Sequence, residues 1–349
     1  MNLEEALGRI RPASKEAMDA ARDRWDNIAM PLHSLGRLQD TVVRIAGMTG
    51  SVQVDLRKKG LVVMCADNGV VEEGVTQSGQ EVTLIVAENF LQKKATASLF
   101  CRQAGADIFP VDIGIASDSN IINRKIAYGT KNMAKEPAMT RAEAIKAIEV
   151  GISMAEELKE RGYSIIATGE MGIGNTTTSS AVVSVLLDQE PAAVTGRGAG
   201  LSSEGLNRKV ETIRRAIALH RPDPRDVVDV LSKVGGLDLA GLAGVFLGGA
   251  ALGIPVVADG FISCTAALCA VRMCPQVRDY IITSHQSKEP GARMVLEALE
   301  IPVFLTCDMC LGEGTGAVAI YPLLDMAMAV YNGMCTFGDI HIDNYVPLS

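Results

Sequence analysis

The spacing of apolar positions changes period along the chain. Residues 3–47 place apolar side chains at helical intervals, with a break at Met30-Pro31-Leu32-His33. Beyond it, short β-branched runs alternate with longer helical stretches. Residues 61–66 (LVVMCA) predict a strand, 80–99 a helix, and 106–114 (ADIFPVDIG) a second strand. After Pro137-Ala138-Met139-Thr140 a helix is predicted to about residue 161, then a third strand over 163–168 and a helix over 176–187. Helices over 208–219 and 224–234 follow. The uncharged run 239–258 is as long as a membrane span, but Gly248-Gly249 and Gly253-Ile254-Pro255 interrupt it, and Asp238 and Asp259 flank it. It reads as a buried helix ending near Gly253 and a fourth strand over 254–258. A helix through 264–271, a fifth strand over 280–284, a sixth over 303–306 and a closing helix over 317–331 complete the pattern.

Short strands separated by helices imply βα units and a parallel α/β sheet flanked by helices. Ligands of such sheets bind beyond the carboxyl ends of the strands. Most of the polar and glycine-rich motifs fall just after a predicted strand, which points to one composite site. Composition agrees: 48% of the 349 residues are apolar, only 4% are aromatic, and 34 are Gly. The core is therefore built of aliphatic side chains and closely packed backbone, as helix-covered parallel sheets are.

The net charge of -8, without long Lys/Arg runs, argues against a nucleic-acid or anionic-membrane surface. An anionic ligand then needs a local site. The polar, charged start of the chain does not read as a signal peptide. Eight Cys, most among apolar neighbours, read as buried thiols of a reducing, cytoplasmic compartment. Cys307 and Cys310 have metal-like spacing but no second such pair and no nearby His. No His/Asp/Glu cluster has metal spacing, so neither metal nor cofactor is expected.

Five motifs carry candidate chemistry. Thr168-Gly169-Glu170-Met171-Gly172-Ile173-Gly174-Asn175-Thr176 joins a strand to a helix; its glycines allow close backbone approach, and the new helix offers free N–H groups to an anion. It is neither a P-loop nor a dinucleotide fingerprint. Glu170 would repel phosphate unless it had its own task. Leu311-Gly312-Glu313-Gly314-Thr315-Gly316 sets a second carboxylate on a glycine loop, where a base has access to substrate. Gly196-Arg197-Gly198-Ala199-Gly200, followed by Lys209, suits a phosphate or ribose but is equally a plain loop. Ser284-His285-Gln286-Ser287 puts small hydroxyls after a strand that suit phosphate oxygens, with His285 read as more often structural. Asp67-Asn68-Gly69 and Asp259-Gly260-Phe261 also follow strands and are equally well turns.

Taken in order, these segments resemble the nicotinate-nucleotide:dimethylbenzimidazole phosphoribosyltransferase family. The likeness starts at Ser34-Leu35-Gly36-Arg37-Leu38, runs through CADNGVVEEGV, PAMT, GEMGIGNTT, SKVGGLDLAGLAGVFLGGA, ADGF and SHQSKEPGAR, and ends at LGEGTGA, about nine-tenths of the chain. It implies a Rossmann-like large domain (residues 45–317) and a small helical domain drawn from both termini (1–44 and 318–349). It also implies transfer of phosphoribose from nicotinate mononucleotide to a lower-ligand base of cobamides, and a homodimer. The family's catalytic glutamate falls on Glu313 and a second active-site glutamate on Glu170. Its phosphate contacts fall on Gly172, Lys209, Ser287 and Gly312. Gly174, Asn175, Thr176, Gly198, Gly200, Met171 and Leu311 are counted with the substrate-binding positions, and Ser78 and Val86 with the acceptor base.

The chain departs from the family at Asn68 (usually His), at Pro31-Leu32-His33, at Gly79 (usually Pro) and at Val86 (often Gln). The resemblance places these on the acceptor side, which leaves benzimidazole, adenine and phenol open as acceptors. A non-catalytic partner subunit in a hetero-oligomer is the alternative. A dinucleotide oxidoreductase lacks its glycine fingerprint here.

Overall fold

The structure, a computed structural model, describes residues 1–345. In chain order it contains helices α1 (Leu3–Arg9), α2 (Lys15–Asn27) and α3 (Arg37–Thr49), strand β1 (Lys59–Ala66), helices α4 (Glu81–Leu91) and α5 (Thr96–Ala104), strands β2 (Ala106–Gly114) and β3 (Ile122–Asn123) and helix α6 (Arg141–Glu160). Strand β4 (Ile165–Met171) follows, then α7 (Asn175–Leu186), α8 (Pro191–Val194), α9 (Ser203–His220), α10 (Val227–Val234) and α11 (Leu237–Leu252). The remainder is β5 (Val256–Ala258), α12 (Phe261–Met273), β6 (Ile281–Thr283), α13 (Pro290–Leu299), α14 (Thr315–Ala319) and α15 (Tyr321–Gly333).

The six strands lie in the order β3-β2-β1-β4-β5-β6, and every pair is parallel. That is the doubly wound order, whose strand sequence reverses between β1 and β4. Both faces of the sheet are covered, so β1 is buried throughout, as its unbroken apolar run requires. The crevice beyond the carboxyl ends of β1 and β4 receives the loops after Ala66 and Met171.

The uncharged run is helix α11, buried from Leu237 to Ala250 and closed by Gly253 in the left-handed conformation. It packs along α6 through a seam of glycines. An added Cβ on Gly244 would run into the carbonyl of Ile148, and one on Gly151 into the carbonyl of Gly241. Among the described residues no helix is long and apolar enough to cross a membrane. Helices α2, α3 and α15 pack together near the termini: the Trp25 and Tyr331 rings lie 5.0 Å apart, and Arg24 stacks on Tyr331 at 4.5 Å. Helix α1 rests instead on α6 and α11, with the terminal amine 2.8 Å from Glu156.

Three expected elements differ. The helix over 80–99 is two helices, because Lys93 adopts φ 57° and ends α4 with bonds from Lys93 N to Phe90 O and from Lys94 N to Asn89 O. Lysine occupies a position normally marked by Gly, so the sequence carries no stop signal there. The strand over 303–306 is a single bridge, His285 to Leu305; Pro302 has no N–H to extend it. The sixth strand is instead the two-residue β3, too short to show a period. The closing helix over 317–331 is divided by Pro322 into α14 and α15.

The glycine seam yields a stability prediction. Gly244→Ala overpacks the α6–α11 contact, an effect worth about 1–3 kcal/mol, and lowers the Tm by several degrees in scanning calorimetry. Gly8→Ala, in the exposed helix α1 with open space around its Cβ, leaves the Tm unchanged or raises it.

Candidate active site

A cavity of about 340 Å³ opens beyond the carboxyl ends of β4, β5 and β6, beside the switch point of the sheet. One wall is the β4–α7 loop. Glu170, the penultimate residue of β4, is 8% exposed and accepts a hydrogen bond from the Asn175 amide. The same amide nitrogen donates to Asp238 Oδ2 at 3.0 Å, so a single NH₂ group joins two buried carboxylates. Burial, and next the charge of Asp238, push the Glu170 carboxyl up to about 8. Burial pushes Asp238 up to about 6 against its hydrogen bonds from Asn175 and Leu239 N. Glu170, the more strongly raised of the two, therefore holds a proton near neutrality.

The opposite wall is the Leu311-Gly312-Glu313-Gly314 loop. Gly312 (φ 90°) and Gly314 (φ 86°) take the left-handed conformation, and so does Glu313 (φ 61°). A Cβ on Gly312 would clash with Glu170 Oε1, and one on Gly169 would lie 2.5 Å from the Glu313 carbonyl. The two loops interlock through backbone. Glu313 Oε2 accepts from Ala97 N at 3.0 Å, at the start of α5. Burial raises its carboxyl above the usual range, and the bond from Ala97 N opposes that shift.

Asp259 anchors this loop. Completely buried at the end of β5, it accepts from Gly316 N (2.7 Å) and Ala317 N (3.1 Å) at Oδ1 and from Gly314 N (3.1 Å) at Oδ2. Burial raises its carboxyl, while neighbouring His285 and these N–H groups pull it down. His285 Nδ1 lies 3.8 Å from Asp259 Oδ1 and 3.1 Å from Ser284 Oγ.

The third wall is cationic. Lys209 is 1% exposed; its ammonium donates to Thr176 Oγ1 at 2.8 Å and to the Gly196 carbonyl at 3.2 Å. Burial lowers it to about 8, an effect that Glu289 opposes. Lys209 stands on α9 and brings its buried ammonium to the start of α7, with Ser287 and the left-handed Gly198 lining the same end of the cavity, a setting suited to a small anion. The fourth wall, from the α4 side, carries Ser78 and Val86 beside Thr76 and Gln77. Helix α4 is tied to the β4–α7 loop by the bond from Ile173 N to Thr83 Oγ1 at 3.1 Å.

The fold thus brings to one cavity Glu170, Met171, Gly172, Gly174, Asn175, Thr176, Gly198, Lys209, Ser287, Leu311, Gly312, Glu313, Ser78 and Val86. Gly200 stands outside the lining; its carbonyl accepts from the Gln77 amide at the rim. Asn68 is fully buried beneath the cavity rather than on its wall, where its carbonyl accepts from Gln80 Nε2 at 3.2 Å. That departure is thus removed from the lining by burial. The sequence assigns no site role of their own to Asp238, Arg197 or Glu289, because an acid at a helix start or an arginine in a glycine loop has ordinary structural uses. Asp259, indistinguishable from a turn residue by sequence, is the anchor just described. Four of the eight cysteines are buried, whereas Cys307, Cys310 and Cys335 are exposed, contrary to the reading of mostly buried thiols. Their segments are irregular, and their apolar neighbours are themselves at the surface. Among the described residues no group of three or more His, Cys, Asp or Glu is placed to hold a metal ion.

A doubly wound sheet, a buried lysine at one end of a cavity and two carboxylates at the other define an α/β enzyme for an anionic, nucleotide-sized ligand. A family model described as phosphoribosyltransferase matches residues 10–342. The chain is 51% identical to nicotinate-nucleotide–dimethylbenzimidazole phosphoribosyltransferase of Acetivibrio thermocellus, over 98% of this chain and 99% of that protein. It is 49% identical to the protein of the same name from Ruminiclostridium cellulolyticum, over the full length of both. A crystal structure of CobT from Thermus thermophilus superposes with a TM-score of 0.89 at 39% identity, over 95% of this chain and all of that one. The chain belongs to the nicotinate-nucleotide–dimethylbenzimidazole phosphoribosyltransferase family.

The buried Glu170 gives a pH signature. Its folded pKa is raised, so the fold holds a proton that the unfolded chain releases above the ordinary glutamate range. Its contribution is therefore present at acid pH and is lost as pH rises from about 4.5 to about 8. Glu170→Gln, a neutral isostere, raises the Tm most at pH 8, and the gain shrinks towards pH 5. Thermal melts across that range check it; a gain independent of pH would contradict the shift.

Proposed function

We propose that this protein transfers 5-phosphoribose from nicotinate mononucleotide to an aromatic lower-ligand base, dimethylbenzimidazole or a relative, releasing nicotinate and an α-ribazole phosphate for cobamide synthesis. The observation that carries this reading is the pairing, in one cavity, of the Lys209–Thr176 cationic end with Glu170 and Glu313. The names of the full-length relatives support it.

The donor's pyridinium is bonded to the anomeric carbon and leaves as neutral-ring nicotinate without a strong general acid. The transition state then has oxocarbenium character. The acceptor attacks from the opposite face, converting a β-linked donor into an α-linked product, and its NH or OH proton must be taken up. Glu313 is the proposed base: burial raises its proton affinity, and the Ala97 N–H bond fixes one carboxylate oxygen. Glu170 orients the acceptor or stabilises the sugar cation when ionised. Lys209, with Gly172, Ser287 and Gly312, holds the remote phosphate, whose binding energy positions the ribose. Ser78 and Val86 border the acceptor, with Met171 and Leu311 as apolar contacts.

The protein is further proposed to act in the cytoplasm as a homodimer, with residues 45–317 as the catalytic unit and 1–44 with 318–349 as a small helical unit. Packing of α2 and α3 against α15 supports that division. Residues 346–349 lie outside the described residues, and α3 crosses the boundary at 45. The non-catalytic partner-subunit reading is not favoured, because both glutamates reach the cavity.

The test is incubation with nicotinate mononucleotide and a panel of dimethylbenzimidazole, benzimidazole, adenine, phenol and p-cresol, read by mass spectrometry for nicotinate and a new ribotide. A ribotide with any member supports the reaction; donor binding without product from any member refutes it. Glu313→Ala lowers kcat by about 10²–10⁴-fold while donor binding, read by calorimetry, stays within a few-fold. Wild-type turnover in that variant would remove Glu313 as the base.

A further inference from the structure

Cys307 and Cys310 have no part in the reaction as described. Both are exposed, in contrast with Cys65, Cys101, Cys264 and Cys269, whose thiols are buried and pushed upward by that burial. Cys310 lines the cavity beside Leu311, Gly312 and Glu313, whereas Cys307 stands outside the lining. The segment between them is already turned. Asp308 takes φ 52°, and Cys307 lies at a bend. Three fully extended residues would separate the Cα atoms by roughly 10 Å, beyond the reach of a disulfide, which needs about 4.4–6.8 Å; a left-handed residue between them shortens that span. Residues 306–308, 310 and 311 are exposed, and the segment is tied to the body through the bond from Lys288 N to Met309 O at 3.1 Å. Such a lightly held segment can adjust to close a small ring.

We propose that Cys307 and Cys310 form a dithiol–disulfide site that takes small two-electron thiol oxidants and, when closed, draws Leu311 and Glu313 out of their working positions. Two S–H bonds break and one S–S bond forms. The two electrons and two protons pass to the oxidant: a low-molecular-weight disulfide becomes two thiols, and diamide becomes a hydrazine. Because Glu313 follows Cys310 by three residues, a ring closed at Cys310 acts directly on the loop that positions the base. Displacing a reacting group by about 1 Å costs on the order of 10²-fold in rate. The effect on turnover rests on the reaction proposed above; formation of the bond does not.

Diamide treatment of the dilute reduced protein, followed by desalting, peptide mass mapping and assay with nicotinate mononucleotide and the accepted base, tests the site. The expected result is an intramolecular Cys307–Cys310 link, a fall of at least about tenfold in kcat/KM for the acceptor, and recovery with dithiothreitol. Cys307→Ser keeps wild-type turnover when reduced and loses none after diamide. The proposal is overturned if no such link forms, if it forms without loss of turnover, or if Cys307→Ser is inactivated equally. Turnover of the untreated reduced enzyme tests the transfer reaction itself, so the reaction and the switch can fail separately.

Discussion

Burying carboxylates is costly unless each is bonded or neutralised, and of those buried near the carboxyl edge of this sheet three shape the cavity. Asp259 receives three backbone N–H groups, Asp238 shares the Asn175 amide and takes Leu239 N, and Glu170 keeps a proton. Each solution fixes a different piece of the site. The bonds to Asp259 hold the Glu313 loop against β5. The shared amide holds the β4–α7 loop against α11. The proton on Glu170 permits two glycine loops to meet across it without charge repulsion. The geometry of the cavity is thus a by-product of satisfying acids that the fold has removed from water.

This arrangement separates two electrostatic environments within one pocket. Lys209 is desolvated but hydrogen-bonded, so in the proposed reaction the donor phosphate supplies the interaction that lost hydration took from its ammonium. At the other end, the carboxylates have affinities raised towards neutrality, the range where proton transfer is most efficient.

The sheet was legible because its strands are buried on both faces and read as unbroken β-branched runs, and because helices of ordinary length lie between them. Motifs at strand ends located the cavity for the same topological reason. What escaped has equally physical causes. Lys93 ends a helix in a conformation glycine usually marks, and β3 is two residues long. Asp238 and Asp259 look in sequence like a helix-start acid and a turn; only their burial distinguishes them. Asn68 illustrates the converse, a motif residue that the fold places under the floor at 0% exposure. Gly200 likewise belongs to the right loop but lies beyond the wall.

The backbone contact of Gly169 with the Glu313 carbonyl reaches beyond catalysis. Two loops that touch main chain to main chain cannot drift apart by side-chain replacement, so the catalytic half of the pocket is frozen against gradual divergence. The wall bearing Ser78 and Val86 is joined to the β4–α7 loop through side chains, among them the Thr83 hydroxyl. Under the proposed reading of that wall as the acceptor side, residues there can change one at a time while the main-chain contact that sets the two glutamate loops stays intact.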